Sequence, residues 1–127
     1  MWNDPQDFWN LLDQLMTSHQ IVVDRVKGSA HPKYSDFIYP VDYGFLKGTS
    51  SADREGIDVW IGSMPAPKRV SGIITTVDVI KNDSEVKILW GCTPEEIGQI
   101  CEVLNRTANM KGLLSLREKE EMAANEH

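Results

Sequence analysis

The sequence predicts an α+β domain in which an N-terminal and a C-terminal helix flank an antiparallel sheet or a small β-barrel. Near the start, apolar residues recur at helical spacing, and a capping motif at position 93 opens a second helical pattern. Between these segments, β-branched runs alternate with turn-forming residues, which is typical of short strands. No Pro-, Gly- or Ser-rich tract divides the 127 residues, so we predict one domain over residues 1–127.

The two helices follow from their start signals. Asp4 and Pro5 form a typical helix start, and apolar residues then recur on one face, so the first helix is predicted over residues 4–18. Residues 93–96 (Thr-Pro-Glu-Glu) form a capping box with proline at the first helical position, which predicts a second helix over residues 94–107. The charged tail over residues 118–127 is predicted to fray.

The strands are predicted where β-branched and aromatic residues run between turn signals. The predicted strands cover residues 21–25, 36–45, 57–62, 70–81, 85–90 and 110–117. Pro40 limits its segment to an edge or irregular strand, because proline cannot donate a ladder hydrogen bond. Asn82 and Asp83 form the turn of a hairpin. Periodicity alone does not distinguish an open, strongly curved sheet from a closed barrel.

The charge and cysteine content bound the function. A net charge of −6 argues against broad attachment to nucleic acid or to an anionic membrane. A phosphate-bearing small molecule would need local lysines or bound divalent cations. The two cysteines, Cys92 and Cys101, form no CxxC pair, and no apolar run approaches the ~20 residues of a spanning helix. We therefore expect a cytoplasmic protein with a small-molecule ligand, and homo-oligomer formation stays open.

One segment concentrates acidic residues. Residues 39–45 (Tyr-Pro-Val-Asp-Tyr-Gly-Phe) are followed, after a polar loop, by Asp53, Glu55 and Asp58 at positions i, i+2 and i+5. If a strand begins at Ile57, Asp58 lies at the start of that strand and the other two carboxylates lie on the loop before it. Two such charges repel by about 4 kcal/mol at about 4 Å and an effective dielectric of about 20, and Mg²⁺ removes that cost. The alternative interpretation is an ordinary solvated turn.

The pattern Tyr39-Pro-x-x-Tyr43-Gly-Phe, together with Asp53-x-Glu55-x-x-Asp58-Val, resembles the signature of the family I soluble inorganic pyrophosphatases. Residues 22–24 (Val-Val-Asp) with 33–34 (Lys-Tyr), and residues 85–87 (Glu-Val-Lys), extend the resemblance over roughly residues 21–90. It implies a five-stranded OB-type barrel with helices at its sides. It also implies in-line attack on pyrophosphate by a water activated by several Mg²⁺ ions.

The resemblance implies a role for each matching position. The Mg²⁺ ligands would be Asp53, Glu55, Asp58 and Glu85, with Asp58, Glu55 and Tyr43 also serving catalysis. Glu55 would orient or deprotonate the attacking water, at a position where the family normally has Asp. The phosphate oxygens of the substrate would be held by Lys33, Tyr43, Lys87 and Lys111. Asp24 and Tyr39 would support the polar network of the site.

The chain departs from the family pattern in its anion-binding residues. The family's hairpin that delivers an arginine to phosphate is shortened to residues 35–38, so that arginine is missing unless Arg25, Lys27 or Arg54 replaces it. The family also has a further acidic residue before the Glu85 position, for which Asp83 is the nearest substitute.

Two further departures affect turnover. The family's C-terminal Tyr-Lys pair has no match, and Lys111 is a lone candidate. Glu55 is one methylene longer than Asp, and displacements of about 1 Å in a site can cost on the order of 100-fold in rate. These departures predict either a slow or retargeted diphosphatase or a catalytically weak regulatory module that binds phosphate or nucleotide.

The residues alone also permit structural interpretations. Tyr39 could belong to the core, Lys33 and Lys87 could be ordinary surface lysines, and Asp24 could be an exposed strand end. The third alternative is then a small OB-like domain used only for protein contacts, through the exposed side of the helix over residues 94–107 or through the tail.

Overall fold

The computed structural model describes residues 4–51 and 55–117. These residues form an α+β domain with two helices and six strands, in the predicted order. The elements are α1 (Pro5–Ser18), β1 (Ile21–Arg25), β2 (Asp42–Leu46), β3 (Ile57–Ile61), β4 (Val70–Asp78), β5 (Asp83–Trp90), α2 (Pro94–Leu104) and β6 (Met110–Leu116). The tail predicted to fray, residues 118–127, lies outside the described residues. Neither helix in the described part is long and apolar enough to cross a membrane.

The helices begin where their capping residues predict. Asp4 Oδ1 accepts a hydrogen bond from the backbone N–H of Gln6 at 2.9 Å, which satisfies one of the unpaired donors at the start of α1. At α2, Thr93 and Glu96 exchange side-chain to backbone hydrogen bonds of 3.2 and 2.8 Å, and so form the predicted capping box. The same Glu96 carboxylate accepts from the N–H of Ser63 at 3.1 Å, which ties the loop after β3 to α2.

The sheet corrects the predicted topology. Its strand order is β1-β2-β3-β5-β4-β6, and β3 pairs with β5 in parallel while the other pairs are antiparallel. The six strands form one open, mixed sheet, so of the two predicted alternatives the closed barrel is wrong, and the predicted antiparallel pairing fails at the β3–β5 pair. The cause is that the β4–β5 hairpin folds back and inserts β5, rather than β4, beside β3. Side-chain periodicity carries no information about that choice.

Three elements are clearly shorter than predicted. Strand β4, predicted over residues 70–81, ends at Asp78, because residues 79–82 form the hairpin turn and Asp83 already belongs to β5. The strand predicted over residues 36–45 is limited to β2 (Asp42–Leu46). The chain around Pro40 forms hydrogen bonds with the preceding loop instead. There Tyr39 donates its N–H to Ser29 O and accepts from the N–H of Gly28, each at 2.9 Å. Helix α2 ends at Leu104 rather than at residue 107.

Each face of the sheet packs against one helix. On the α2 face, Trp60 belongs to the same buried cluster as Ile100 of α2. On the α1 face, Val59 clusters with Trp9 of α1. Since successive side chains of a strand point to opposite faces, Asp58 lies on the α2 face together with Trp60. This alternation decides which polar side chains of the sheet can meet.

An ion pair joins α1 to the residue that follows β6. Arg117, whose side chain is 4% exposed, donates from Nη1 to Asp13 Oδ2 at 2.8 Å. The other carboxylate oxygen of Asp13 accepts from the N–H of Val70 at 2.8 Å, and Arg117 Nη2 donates to Asn10 Oδ1 at 3.2 Å. Asp13 therefore supplies the counter-charge of a buried guanidinium and accepts from the first N–H of β4 at once.

Replacing Asp13 with Ala is expected to lower the free energy of unfolding by about 3 kcal/mol, because it leaves the Arg117 guanidinium buried without its counter-charge. Gln14→Ala, on the exposed side of the same helix, serves as the control and should change it by less than about 0.5 kcal/mol. Urea unfolding of both variants checks this. Equal stability of the two variants would show that the ion pair contributes nothing.

Candidate active site

The ammonium group of Lys87 lies at the centre of a polar cluster on the α2 face. Its Nζ donates hydrogen bonds to Tyr43 Oη at 2.8 Å, Asp58 Oδ2 at 3.0 Å and Glu85 Oε2 at 3.1 Å. An ammonium group has three donors, so these contacts use all of them. The site is sheltered, since the side chains of Lys87 and Glu85 are only 11% and 12% exposed. We call these four residues the Lys87 cluster.

Strand register produces the Lys87 cluster. Asp58 of β3 pairs with Lys87 of β5 in the parallel ladder, and Glu85 precedes Lys87 by two residues, so it shares the same face. Tyr43 of β2 pairs with Trp60 of β3 and also lies on the α2 face. Residues separated by 44 positions in the sequence are thereby brought within hydrogen-bond distance.

Burial and charge set the protonation states of the Lys87 cluster. Burial raises the pKa of the Asp58 carboxyl, although the charge and hydrogen bond of Lys87 and a hydrogen bond from Tyr43 lower it in part. Burial likewise raises the pKa of the Tyr43 phenol. Burial lowers the pKa of Lys87, but the combined influence of Tyr43, Asp58 and Glu85 is larger and raises it. At neutral pH, Lys87 is therefore charged, and Tyr43 keeps a proton that it can donate.

A cavity of about 320 Å³ opens beside the two carboxylates. It lies at the starting ends of β3 and β5, where Asp58 and Glu85 contribute the acidic part of its wall. Its remaining lining residues come from α1, the loop before β3 and the two strands: Leu12, Ser50, Ser51, Ile57, Ser84, Val86 and Ile88. Asp58 and Glu85 are thus the two members of the Lys87 cluster that line this cavity.

Aromatic rings cover the other side of the Lys87 cluster. The Tyr43 ring packs against the Trp60 ring at 4.5 Å and against the Tyr39 ring at 5.5 Å, measured between centroids. Tyr39 packs in turn against Phe37 at 5.1 Å and stacks with His31 at 6.5 Å. We call these five residues the aromatic wall. Tyr39 is 6% exposed, so it is both a core residue and a neighbour of the site.

The other predicted site residues lie around or away from the Lys87 cluster. Asp53 lies outside the described residues, and Glu55 is exposed just before β3 begins. Lys33 is exposed in the loop beside His31. Lys111 lies on β6, which β4 separates from β5, and its ammonium donates to Asn105 O at 2.9 Å. Asp24 is exposed on β1, at the edge of the sheet.

The described residues contain no group of three or more metal-binding side chains. Asp58 and Glu85 are a pair of hard oxygen donors that already converge on one point, the Lys87 ammonium, and oxygen donors are what Mg²⁺ prefers. Asp83, the substitute considered for a further acidic residue, lies 3.7 Å from Lys81 Nζ instead. The donor set that the structure describes thus fits one side of a cation site.

The sequence resemblance names Arg25 only as one of three candidates to replace the family's phosphate-binding arginine. The register of β1 shifts between Val23 and Arg25, so Arg25 rather than Asp24 stands opposite Tyr43. A β-bulge of one residue leaves no mark in the hydrophobic pattern that could have predicted it.

No family model matches the chain, and no curated protein matches its sequence. Several solved structures, however, match the fold of the chain. The inorganic pyrophosphatase from Neisseria gonorrhoeae superposes with a TM-score of 0.57 and 18% identity, covering 88% of this chain and 90% of that one. The inorganic pyrophosphatase from Helicobacter pylori gives a TM-score of 0.52 at 14% identity, covering 84% of this chain and 88% of that one. The one from Coxiella burnetii gives a TM-score of 0.51 at 17% identity, covering 82% of this chain and 89% of that one. The chain shares the fold of these bacterial proteins. At such identities the likeness concerns the fold and leaves activity to be argued from the site.

The pKa of His31 offers a test of the loop that carries the aromatic wall. Burial and the positive charges of Arg25, Lys81 and Lys33 lower this pKa below the ordinary 6.5. The N–H of Lys33 donates to His31 Nδ1 at 3.0 Å, a bond that requires an unprotonated nitrogen. A histidine with a lowered folded pKa contributes stability above the unfolded pKa, and this contribution is lost as the pH falls through the folded value.

The stability advantage of wild type over His31→Gln should therefore shrink as the pH falls from about 7.5 to about 5. Urea unfolding across that range measures it, with His19→Gln at the end of α1 as the matched histidine control. A difference between wild type and His31→Gln that stays constant with pH would contradict the assignment.

Proposed function

We propose that the chain hydrolyses inorganic pyrophosphate, or a related small phosphoanhydride, with Mg²⁺ as cofactor. The observation that supports this most is the convergence of Tyr43, Asp58, Glu85 and Lys87 from three strands beside one cavity. The fold of bacterial inorganic pyrophosphatases is consistent with it. These four are among the residues that the sequence resemblance assigns to metal and phosphate, which also include Asp53, Glu55, Lys33 and Lys111.

The charge balance of the Lys87 cluster explains why a cation would be required. Asp58 and Glu85 carry two negative charges when ionised, and Lys87 supplies one positive charge. The remaining negative charge would repel a phosphate group, and at an effective dielectric of about 20 one such repulsion at about 4 Å costs about 4 kcal/mol. A divalent cation reverses the sign of the local field.

Asp58 and Glu85 would hold Mg²⁺, and Asp53 and Glu55 are the further ligands that the sequence suggests. When bound, Mg²⁺ lowers the pKa of a coordinated water and offsets charge that builds up on phosphate oxygens. We assign the orientation of the attacking water to Glu55. Lys33 and Lys111 are proposed phosphate contacts on the sequence resemblance alone.

Lys87 and Tyr43 would bind the substrate. All three donors of Lys87 are engaged, so the ammonium can donate to a phosphate oxygen only after releasing one of its present acceptors. Carboxylates that hold a cation no longer need the ammonium as their counter-charge, so cation binding and phosphate binding at Lys87 should reinforce each other. Tyr43, which accepts from Lys87, would donate its own proton to a phosphate oxygen.

Wild type is expected to release phosphate from pyrophosphate only with Mg²⁺, and Asp58→Asn should lower the rate by about 100-fold or more, since a lost metal ligand removes several kcal/mol of transition-state stabilisation. Glu85→Gln should act in the same direction. Glu95→Gln, which removes an exposed carboxylate on α2, should leave the rate unchanged. The same background rate in wild type and Asp58→Asn would reject the proposal.

Mg²⁺ should also raise the melting temperature of wild type more than that of Asp58→Asn, a readout that does not need turnover.

A second function has one observation in its favour. Lys87 already neutralises part of the charge of the two carboxylates and uses all three of its donors to do so. A regulatory module that binds phosphate or nucleotide without efficient turnover fits this arrangement. Calorimetry separates the two functions: tight Mg²⁺-dependent binding of pyrophosphate or nucleotide without phosphate release favours the module. If the chain binds neither ligand, the module is rejected as well.

A further inference from the structure

The two edges of the sheet differ in how well they are protected. Strand β1, at one edge, is five residues long, contains a register shift and carries the charges of Asp24 and Arg25. Strand β6, at the other edge, is seven residues long, pairs with β4 in unbroken register and contains a single charged residue, Lys111. Proteins usually protect an edge strand with charges, proline or a bulge, because its free backbone groups otherwise pair with another chain. By these criteria, β6 is an unprotected edge.

The hydrogen bonds of β6 show which of its backbone groups point away from β4. Gly112 donates its N–H to Asn105 Oδ1 at 3.1 Å, and its carbonyl accepts from Asn105 Nδ2 at 3.3 Å, so both groups point outward. Arg117 instead donates its N–H back to β4 at 3.1 Å. Because this direction alternates along an antiparallel strand, the outward groups belong to the even-numbered residues. Among the residues that the structure describes, no further hydrogen bond uses the outward groups of Leu114 and Leu116.

The side chains beside these free backbone groups are uncharged or already paired. Leu113 is 72% exposed, and Ser115 is exposed as well. Both lie on the α1 face, since Ser115 pairs with Ile73, which packs against the buried cluster on that face. Arg117, at the end of the strand, has its counter-charge in Asp13 at 2.8 Å. The free stretch of β6 is therefore flanked by apolar and charge-balanced surface.

We propose that β6 pairs with β6 of a second copy of the chain, antiparallel across a two-fold axis at Ser115. In this register, Leu114 of each copy stands opposite Leu116 of the other, and each pair exchanges N–H to carbonyl hydrogen bonds. Asn105 caps Gly112 and so limits the free stretch to residues that are symmetric about Ser115. An identical strand matches a stretch of this length. The contact closes after two copies, because both use the same surface.

The side chains that face each other across the axis permit this pairing. Leu113 of one copy lies opposite Arg117 of the other, whose side chain is turned toward Asp13 and is only 4% exposed, so it presents no free charge. Ser115 meets only Ser115 of the other copy. A closed barrel would have no such edge, so the surface exists because the sheet is open.

Sedimentation velocity from about 1 μM to about 1 mM protein should show wild type passing from one chain to two. Ser115→Lys and Ser115→Glu should each remain a single chain, because either variant places two like charges opposite each other across the axis. An equimolar mixture of the two variants should form dimers again, since opposite charges then meet. Val86→Lys adds the same charge to an exposed position of β5 on the α1 face, and it should dimerise as wild type does.

Hydrogen exchange of wild type measured by NMR tests the register without any variant. The amides of Leu114 and Leu116 should exchange at least about tenfold more slowly at the high protein concentration than at the low one. The amide of Ser115, which points to β4, should change less. Wild type that stays a single chain at about 1 mM overturns the proposal, whether solvent or the tail covers the edge. A dimer without added protection at Leu114 and Leu116, or one that persists in Ser115→Lys, overturns it as well.

Discussion

One ammonium group held between two sheltered carboxylates determines the properties of the site. Without Lys87, Asp58 and Glu85 would place two negative charges together in a place where water screens them poorly, and such an arrangement is unstable. With Lys87 in place, the three charged groups still carry one net negative charge, and all three N–H donors of the ammonium are already used. The proposed dependence on Mg²⁺ follows from this balance rather than from the presence of acidic residues alone.

The rest of the fold holds the Lys87 ammonium against Asp58 and Glu85. The parallel pairing of β3 with β5 sets Asp58 beside Lys87, and any other neighbour for β3 would separate them. Trp60 and Tyr39 close one side of the Tyr43 ring, which keeps its hydroxyl directed at Lys87. The Asp13–Arg117 ion pair fixes α1 and the end of β6 on the opposite side of the molecule. The polar contact therefore lies among packed apolar residues, as a preorganised site requires.

The sequence predicted the elements well because their signals are local. The capping box at Thr93 and Glu96, and the β-branched runs, specify helices and strands without reference to the rest of the chain. The order of the strands is not local, since it depends on which strands distant in the sequence pair, and the parallel β3–β5 pair departs from the antiparallel pairing that was predicted. Four of the predicted site residues meet because β3 pairs with β2 on one side and with β5 on the other, a pairing that no local signal specifies. The position of Arg25 could not be predicted, since a one-residue bulge changes the face of a side chain without changing the composition of its strand.

The measurement that tests the central claim most directly is the location of a bound cation. Crystals grown with Mn²⁺ and a non-hydrolysable diphosphate would give an anomalous signal at the metal. The account predicts a metal peak within coordination distance of both Asp58 and Glu85, with the Lys87 ammonium turned from the carboxylates toward a phosphate oxygen. Metal bound only elsewhere, with Lys87 still engaged by both carboxylates in the presence of the diphosphate, would contradict it.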